Sequence, residues 1–191
     1  DIMTKKTITK IIRADDKLAI SLALLTLKKG GIIIYPSESS YGIGCDAHNR
    51  KAIEKIIKLK NRPQEKRMIV YVSSVKMAEK YCGRLRKSEA NLLKKFRGDL
   101  TLVKNNKSFR IPSQKFARRL ANKYDKPITT TSANISDKEP IYNIREILRM
   151  FSGKVDLIID AGDLPKRRPS TVFSLKEKKV LRRGPVSEKA I

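Results

Sequence analysis

The sequence predicts one α/β domain built on a mixed, twisted sheet flanked by helices. Two observations carry that reading. Short apolar or β-branched runs (32–35, 68–72, 128–131 and 155–159) alternate along the chain with segments whose apolar residues recur at helical spacing. At 191 residues, 40% hydrophobic and 33% charged, the chain holds enough apolar surface for one sizeable core, or at most two small ones. No internal repeat, low-complexity tract or long linker interrupts it, so residues 1–191 are expected to form a single domain.

Residues 8–12 alternate weakly and fit an edge strand. Asp15 and Asp16 stand where a helix N-terminus favours acids, and Leu18, Ala19, Leu22 and Leu25 follow at helical spacing. Lys28-Lys29-Gly30-Gly31 closes that helix with cations and glycine. Ile32 to Tyr35 reads as a buried strand ended by Pro36. Ser37-Glu38-Ser39-Ser40 and Tyr41-Gly42-Ile43-Gly44 read as a loop whose glycines allow a tight bend or a close ligand approach. Asn49 is placed to cap a helix carrying Ala52, Ile53, Ile56 and Ile57, which runs into Lys58, Lys60 and Arg62 before Pro63.

A strand at 68–72 follows. Ser73 or Ser74 is expected to cap a helix with Val75, Ala78 and Tyr81 inward, and Ser88 one with Ala90, Leu93 and Phe96 inward. Gly98 separates these from a strand at 100–103, an Asn105-Asn106-Lys107 turn and a short strand at 109–111. A helix over 114–124 should bury Phe116, Ala117, Leu120, Ala121 and Tyr124. Then come the strand 128–131, a polar loop from Ser132, a helix with Ile144, Ile147, Leu148 and Phe151, and strands at 155–159, 171–175 and 180–181.

Lys and Arg number 44 against 19 Asp and Glu, a net charge of +25. Such a field favours nucleic acid or polyanionic ligands, and equally fits lysines spread over solvated helix faces. Cys45 and Cys82, with no CxxC spacing and a single histidine, His48, argue against a zinc site and for a reducing cytoplasm. No apolar stretch approaches the roughly 20 residues of a membrane span, and the Lys-rich N-terminus has no signal-peptide core.

Three polar segments follow strands. The serine loop has the Lys58, Lys60, Arg62 and Lys66 cluster behind it. Thr130-Thr131-Ser132-Ala133-Asn134 offers hydroxyls and an amide that bind phosphate or carboxylate oxygens, or simply cap a turn. Lys166-Arg167-Arg168-Pro169-Ser170-Thr171 and Arg182-Arg183-Gly184 form a third, basic group. Each alone also fits a solvated surface loop.

Their order is more specific than any one of them. YPSESSYGIGCDA resembles the segment YPT[DE]TVYGLGCDA of the YrdC-like threonylcarbamoyl-AMP synthases. LKNRPQEKRMIVYV resembles that family's KxRP segment, GDLTLV its PGPLTLV, RIP its R[IV]P and TTTSANIS its TSANxSG. VDLIIDAG, PSTVFSL and LRRGPV resemble its closing segments. The resemblance spans roughly residues 16–186, in family order, to the single-domain form.

It implies an open, twisted mixed sheet with a large cationic cavity. It also implies formation of L-threonylcarbamoyl-AMP and pyrophosphate from L-threonine, bicarbonate and ATP with Mg²⁺. A tRNA threonylcarbamoyl transferase machinery would then move the group to adenosine 37 of tRNA. By position, Ser37, Lys66, Arg110, Thr130 and Ser170 would contact threonine, and Lys60, Arg62, Ser132, Asn134 and Arg182 would contact ATP. The reaction gathers many negative charges, for which Lys58, Lys60, Arg62, Lys66, Arg110 and Arg182 supply cations. It needs no dedicated protein nucleophile and no metal held by protein ligands. Lys60 and Arg62 are both expected to be exposed to the cavity.

The chain departs from the family pattern at several positions. Ser37 and Ser39 replace threonines, Arg97 and Asp99 replace the prolines around Gly98, Arg67 replaces a proline, and Asp137 replaces the glycine after Ser136. Two other readings are compatible with these segments: a non-catalytic YrdC-like protein holding tRNA or other RNA directly in its cationic concavity, and a related carbamoyl-handling enzyme. The chain lacks the zinc-finger and acylphosphatase modules that accompany the latter.

Overall fold

A computed structural model describes residues 7–63 and 68–191. The elements run β1 (Lys10–Arg13), α1 (Ala19–Lys28), β2 (Ile33–Pro36), β3 (Tyr41–Gly44), α2 (Arg50–Leu59), β4 (Ile69–Tyr71), α3 (Val75–Cys82), α4 (Lys87–Lys95), β5 (Leu100–Lys104), β6 (Lys107–Arg110), α5 (Lys115–Tyr124), β7 (Ile128–Ser132), α6 (Ile144–Phe151), β8 (Leu157–Asp160), β9 (Thr171–Ser174) and β10 (Lys179–Arg182). The strands form one ten-stranded mixed sheet in the order β1-β8-β2-β3-β7-β4-β6-β5-β9-β10. No described helix is long and apolar enough to cross a membrane.

The first half of the sheet is covered on both faces. Ile33 and Tyr35 of β2, with Leu157 and Ile159 of β8, pack beneath α1 and α5. Their neighbours Ile32, Ile34 and Ile158 face the other way, against Ile56 of α2 and Ile147 and Phe151 of α6. Strands buried on both faces carry unbroken apolar runs, which is why these two were plain in the sequence. The second half is covered on one face. Val70, Leu100, Leu102 and Phe109 lie under α3 and α4. The alternate residues Ile69, Ser108, Arg110 and Val172 face a cavity instead.

Local chemistry sets the helix boundaries. Asn49, Ser74, Gln114 and Asn143 cap α2, α3, α5 and α6, each accepting a backbone N–H from the first turn. Asn105 and Asn106 hold φ of 50° and 61° between β5 and β6, the left-handed pair that a two-residue hairpin loop requires.

Four local expectations are corrected. Tyr41–Gly44 is a strand, β3, paired antiparallel with β2 and β7. Its glycines disguise it, because Gly44 is selected by crowding: a Cβ there would stand 2.1 Å from the Thr129 carbonyl oxygen. The buried face of α1 is Ala19, Ile20, Ala23 and Leu27, while Leu18 and Leu25 are exposed. Small residues win that face because α1 lies against α5. Asp15 and Asp16 precede the helix, Asp15 pairing with Arg13 and Asp16 accepting the Leu18 N–H. Ser88 lies inside α4, which is capped by Glu89 accepting the Arg86 N–H at 2.9 Å.

Gly44→Ala is expected to lower stability by about 3 kcal/mol or more, since the clash is with backbone that cannot rotate away. Urea unfolding of the variant against the wild type measures it.

Candidate functional site

A cavity of about 440 Å³ opens over the uncovered face of β4, β6, β7 and β9. Eight of the ten residues singled out from sequence line it: Ser37, Lys60, Arg62, Arg110, Thr130, Ser132, Asn134 and Arg182. Ser170 lies directly behind the wall, and Lys66, like Arg67, is outside the described residues. Lys58 is exposed on α2 and is not part of the wall. From the third basic group Arg167 reaches the cavity alongside Arg182.

The electrostatic centre is the Ser170 hydroxyl. Arg110 Nη1 donates to Ser170 Oγ at 2.8 Å and Arg182 Nη2 donates to it at 3.2 Å. Two N–H groups occupy the oxygen's two lone pairs, so its own proton points to Thr101 Oγ1, 2.8 Å away. Arg182 also forks onto the Ser170 carbonyl oxygen through Nε and Nη2, at 3.1 and 2.9 Å. Two guanidinium groups thus share one neutral partner. Burial, and then the charge of Arg110, lower the pKa of Arg182.

Arg110 is balanced from behind. Its side chain is 8% exposed, and Nη2 lies 3.1 Å from Glu38 Oε2. Tyr71 donates to the same oxygen at 2.6 Å, and its ring lies 5.1 Å from the Arg110 guanidinium carbon. Glu38 Oε1 accepts the N–H groups of Ser113 and Gln114 at the start of α5. Burial works to raise the Glu38 pKa, but the Arg110 charge, the Tyr71 hydroxyl and the Ser113 N–H outweigh it and hold it below the usual carboxylate range. Burial pushes the Tyr71 hydroxyl upward, and the Glu38 charge adds to the shift. Gly98, at φ +77°, backs this group: a Cβ there would stand 2.8 Å from Glu38 Cγ.

The opposite wall is held by Lys60, which belongs to the lining but is 1% exposed, buried rather than exposed to the cavity as expected. Its ammonium donates to the carbonyl oxygens of Ser132 and Asn134, and to Asn134 Oδ1 at 3.1 Å. Asn134 Oδ1 also accepts from Ser132 Oγ at 2.5 Å, and Nδ2 donates to the Lys138 carbonyl oxygen. Ser136 N–H closes the turn on the Lys60 carbonyl oxygen at 2.7 Å. Lys60 thus sets the shape of the 132–138 loop from beneath. Arg62 is partly buried, which lowers its pKa, while the nearby Asp137 carboxylate works to raise it. Asp137 has φ +64°, a backbone that glycine and aspartate both tolerate, so the substitution of the family's glycine keeps the loop and adds a carboxylate.

The remaining rim is built by the β2–β3 loop, through Ser37, Ser39 and Ser40. Ser37 N–H and Oγ both donate to the Ser40 carbonyl oxygen. The Tyr41 hydroxyl donates to the Gly162 carbonyl oxygen at 2.6 Å and accepts the Ala161 N–H at 3.0 Å, its pKa pushed up to about 12 by burial.

Among known proteins, a profile of the Sua5/YciO/YrdC family, described as telomere recombination, matches residues 25–184. The chain belongs to the Sua5/YciO/YrdC family. A doubly substituted Sua5 from P. abyssi superposes with a TM-score of 0.85 at 27% identity, covering 94% of this chain and 61% of that one. P. abyssi Sua5 complexed with L-threonine gives 0.82 at 28% identity, with 93% and 57% covered. This chain therefore spans about three-fifths of the length of those Sua5 chains. E. coli YciO shares the fold with a TM-score of 0.81 at 23% identity, covering 97% and 98%.

Sequence reading gave Tyr71 and Thr101 no place in the site, and named Glu38 and Arg167 only as members of the serine loop and the third basic group. Glu38 occupies the acidic position of the YPSESS segment, which was available as a signal. Tyr71 and Thr101 sit inside apolar strands, where only the period-two alternation and the pairing Tyr71↔Arg110 reveal their side of the sheet.

Lys60→Ala is expected to lower stability by about 3 kcal/mol, because it strands buried carbonyl oxygens and leaves a void; chemical denaturation is the check. Glu38 gives a pH signature. Its folded pKa is lowered from 4.5, so its contribution is complete above that value and is lost as the pH falls through the folded pKa. Stability measured against pH should fall on the acid side, with a shallower fall in Glu38→Gln.

Proposed function

We propose that the protein is an L-threonylcarbamoyladenylate synthase, converting L-threonine, bicarbonate and ATP to threonylcarbamoyl-AMP and pyrophosphate. The observation that carries this reading is the convergence of Arg110 and Arg182 on Ser170 at one end of a cavity that also holds Arg62 and Arg167. Membership of a family with a threonine-complexed member of the same fold supports it.

The threonine amine takes its carboxyl carbon from bicarbonate with loss of water. A carboxylate oxygen of the resulting carbamate attacks the α-phosphorus, the bond from that phosphorus to the bridging oxygen breaks, and pyrophosphate leaves. Every participant is anionic, so the protein's task is to collect like charges and align them. Ser37, Thr130 and Arg110 serve the threonine end, with Ser170 fixing Arg110 and Lys66 assigned there by resemblance. Arg62, Ser132, Asn134 and Arg182 serve the nucleotide, with Lys60 shaping their loop.

Among the described residues no group of three or more His, Cys, Asp or Glu side chains could hold a metal ion, and Asp137 is the only carboxylate in the described cavity wall. That donor set fits Mg²⁺ held largely by nucleotide phosphates and water. Bound there, the ion would reduce the charge on the departing pyrophosphate. The product is a mixed anhydride prone to hydrolysis, which suits handover to a tRNA threonylcarbamoyl transferase partner.

Pyrophosphate release should require threonine, bicarbonate and Mg-ATP together, with threonylcarbamoyl-AMP detected by mass spectrometry. ATP turnover indifferent to threonine would sink the reading. Arg182→Ala is expected to raise the KM for ATP about tenfold or more, as loss of a charge-assisted contact should, checked by steady-state kinetics with the folded variant.

A further inference from the structure

The Ser170 end of the cavity contains an ion pair that does not contact the cavity directly from both sides. Arg110 lines the cavity, whereas Glu38 does not; it lines a separate cavity of about 530 Å³ on the far side of the Ser37 loop. Glu38 touches Arg110, Tyr71 and the start of α5, so its influence on any ligand passes through Arg110.

Glu38, Arg110 and Arg182 carry one negative and two positive charges within one connected set of hydrogen bonds. Their sum is +1. Without Glu38 the same hydroxyl would gather two unopposed guanidinium groups, and the strongest ligand would be a dianion such as phosphate. With Glu38 in place, one unit of anionic charge on the ligand neutralises this connected set, Arg62 and Arg167 lining the cavity outside it. The carboxylate also fixes the rotation of the Arg110 guanidinium. Nη2 is taken by Glu38 and the Tyr71 oxygen at 3.1 and 3.2 Å, which turns Nη1 toward Ser170.

We infer that Glu38 is a specificity-determining positioning residue, which orients Arg110 and offsets one unit of positive charge at the Ser170 end of the cavity, and so shifts that end toward a monoanionic carboxylate and away from a dianion while Arg182 remains available to the nucleotide. The inference rests on the proposed function for the identity of that carboxylate, the one on L-threonine. The charge selection itself does not depend on it.

The test is calorimetric binding of acetate, sulfate and L-threonine to the wild type, Glu38→Gln and Glu54→Gln. Glu54 is an exposed carboxylate on α2, so its substitution changes total charge by the same unit at a distance. Glu38→Gln should raise the sulfate-to-acetate affinity ratio at least about fivefold, on the scale of one charge a few ångströms away. Glu54→Gln should leave the ratio within about twofold, since it does not alter charge at this end. Glu38→Gln should also weaken L-threonine about tenfold as Arg110 loses its anchor.

An unchanged ratio in folded Glu38→Gln, or an equal rise in Glu54→Gln, overturns the inference. A shifted ratio with no threonine binding in any protein upholds the charge selection and removes the proposed substrate. Should Glu38→Gln fail to fold, Glu38→Asp decides: with the charge kept, the sulfate-to-acetate ratio should stay within about twofold of the wild type, and a rise of about fivefold overturns the inference.

Discussion

A guanidinium 8% exposed to solvent survives in this fold because a carboxylate, a phenol and a serine hydroxyl meet it from three directions. Burying an unpaired charge costs far more than any single contact returns, and partners must therefore be in place before Arg110 can be. Those partners come from three different places, the β2–β3 loop, β4 and the residue before β9, and Ser170 is itself held by Thr101 of β5 and Arg182 at the end of β10. The Ser170 end of the cavity is thus a condition on the whole second half of the sheet. The register of β4 against β6, which sets Tyr71 opposite Arg110, cannot slip by one residue without sending that charge under α3 and α4.

The other end is organised by a second buried cation with a different task. Lys60 ends α2 and sends its ammonium to oxygens of the 132–138 loop. An ammonium has three donors and no preferred plane, so it gathers carbonyl oxygens around a point, as a loop clamp requires. A guanidinium is planar and forked, which suits the bidentate grip of Arg182 on the Ser170 carbonyl oxygen. The two cation types are therefore not interchangeable here. Asp137 fits the same logic, since its left-handed backbone is the loop's requirement and its carboxylate is this chain's own addition beside Arg62.

Much of the fold was legible because the decisive signals were local. Caps at Asn49 and Ser74, the Asn105-Asn106 turn and the apolar runs of β2 and β8 are each read from a few neighbouring residues. The failures have a common cause. β3 was hidden because its glycines answer to the Thr129 backbone of another strand. The face of α1 was misread because its alanines pack on α5, and the exposure of Lys60 was misjudged because its partners lie over 70 residues away. In each case the reason for the residue lies in a part of the chain remote in sequence.

The sequence by itself determined the element order, the mixed α/β class and which polar segments would meet, since periodicity, capping and motif order are properties of the chain. Tertiary structure alone decided what each charge does once there. Arg110 and Lys60 look alike in sequence, as cations near strand and helix ends. One became half of a charge-selecting pair at the cavity and the other a buried clamp, because burial and the oxygens available at each place set the role of a cation, and both are created only when distant strands come together.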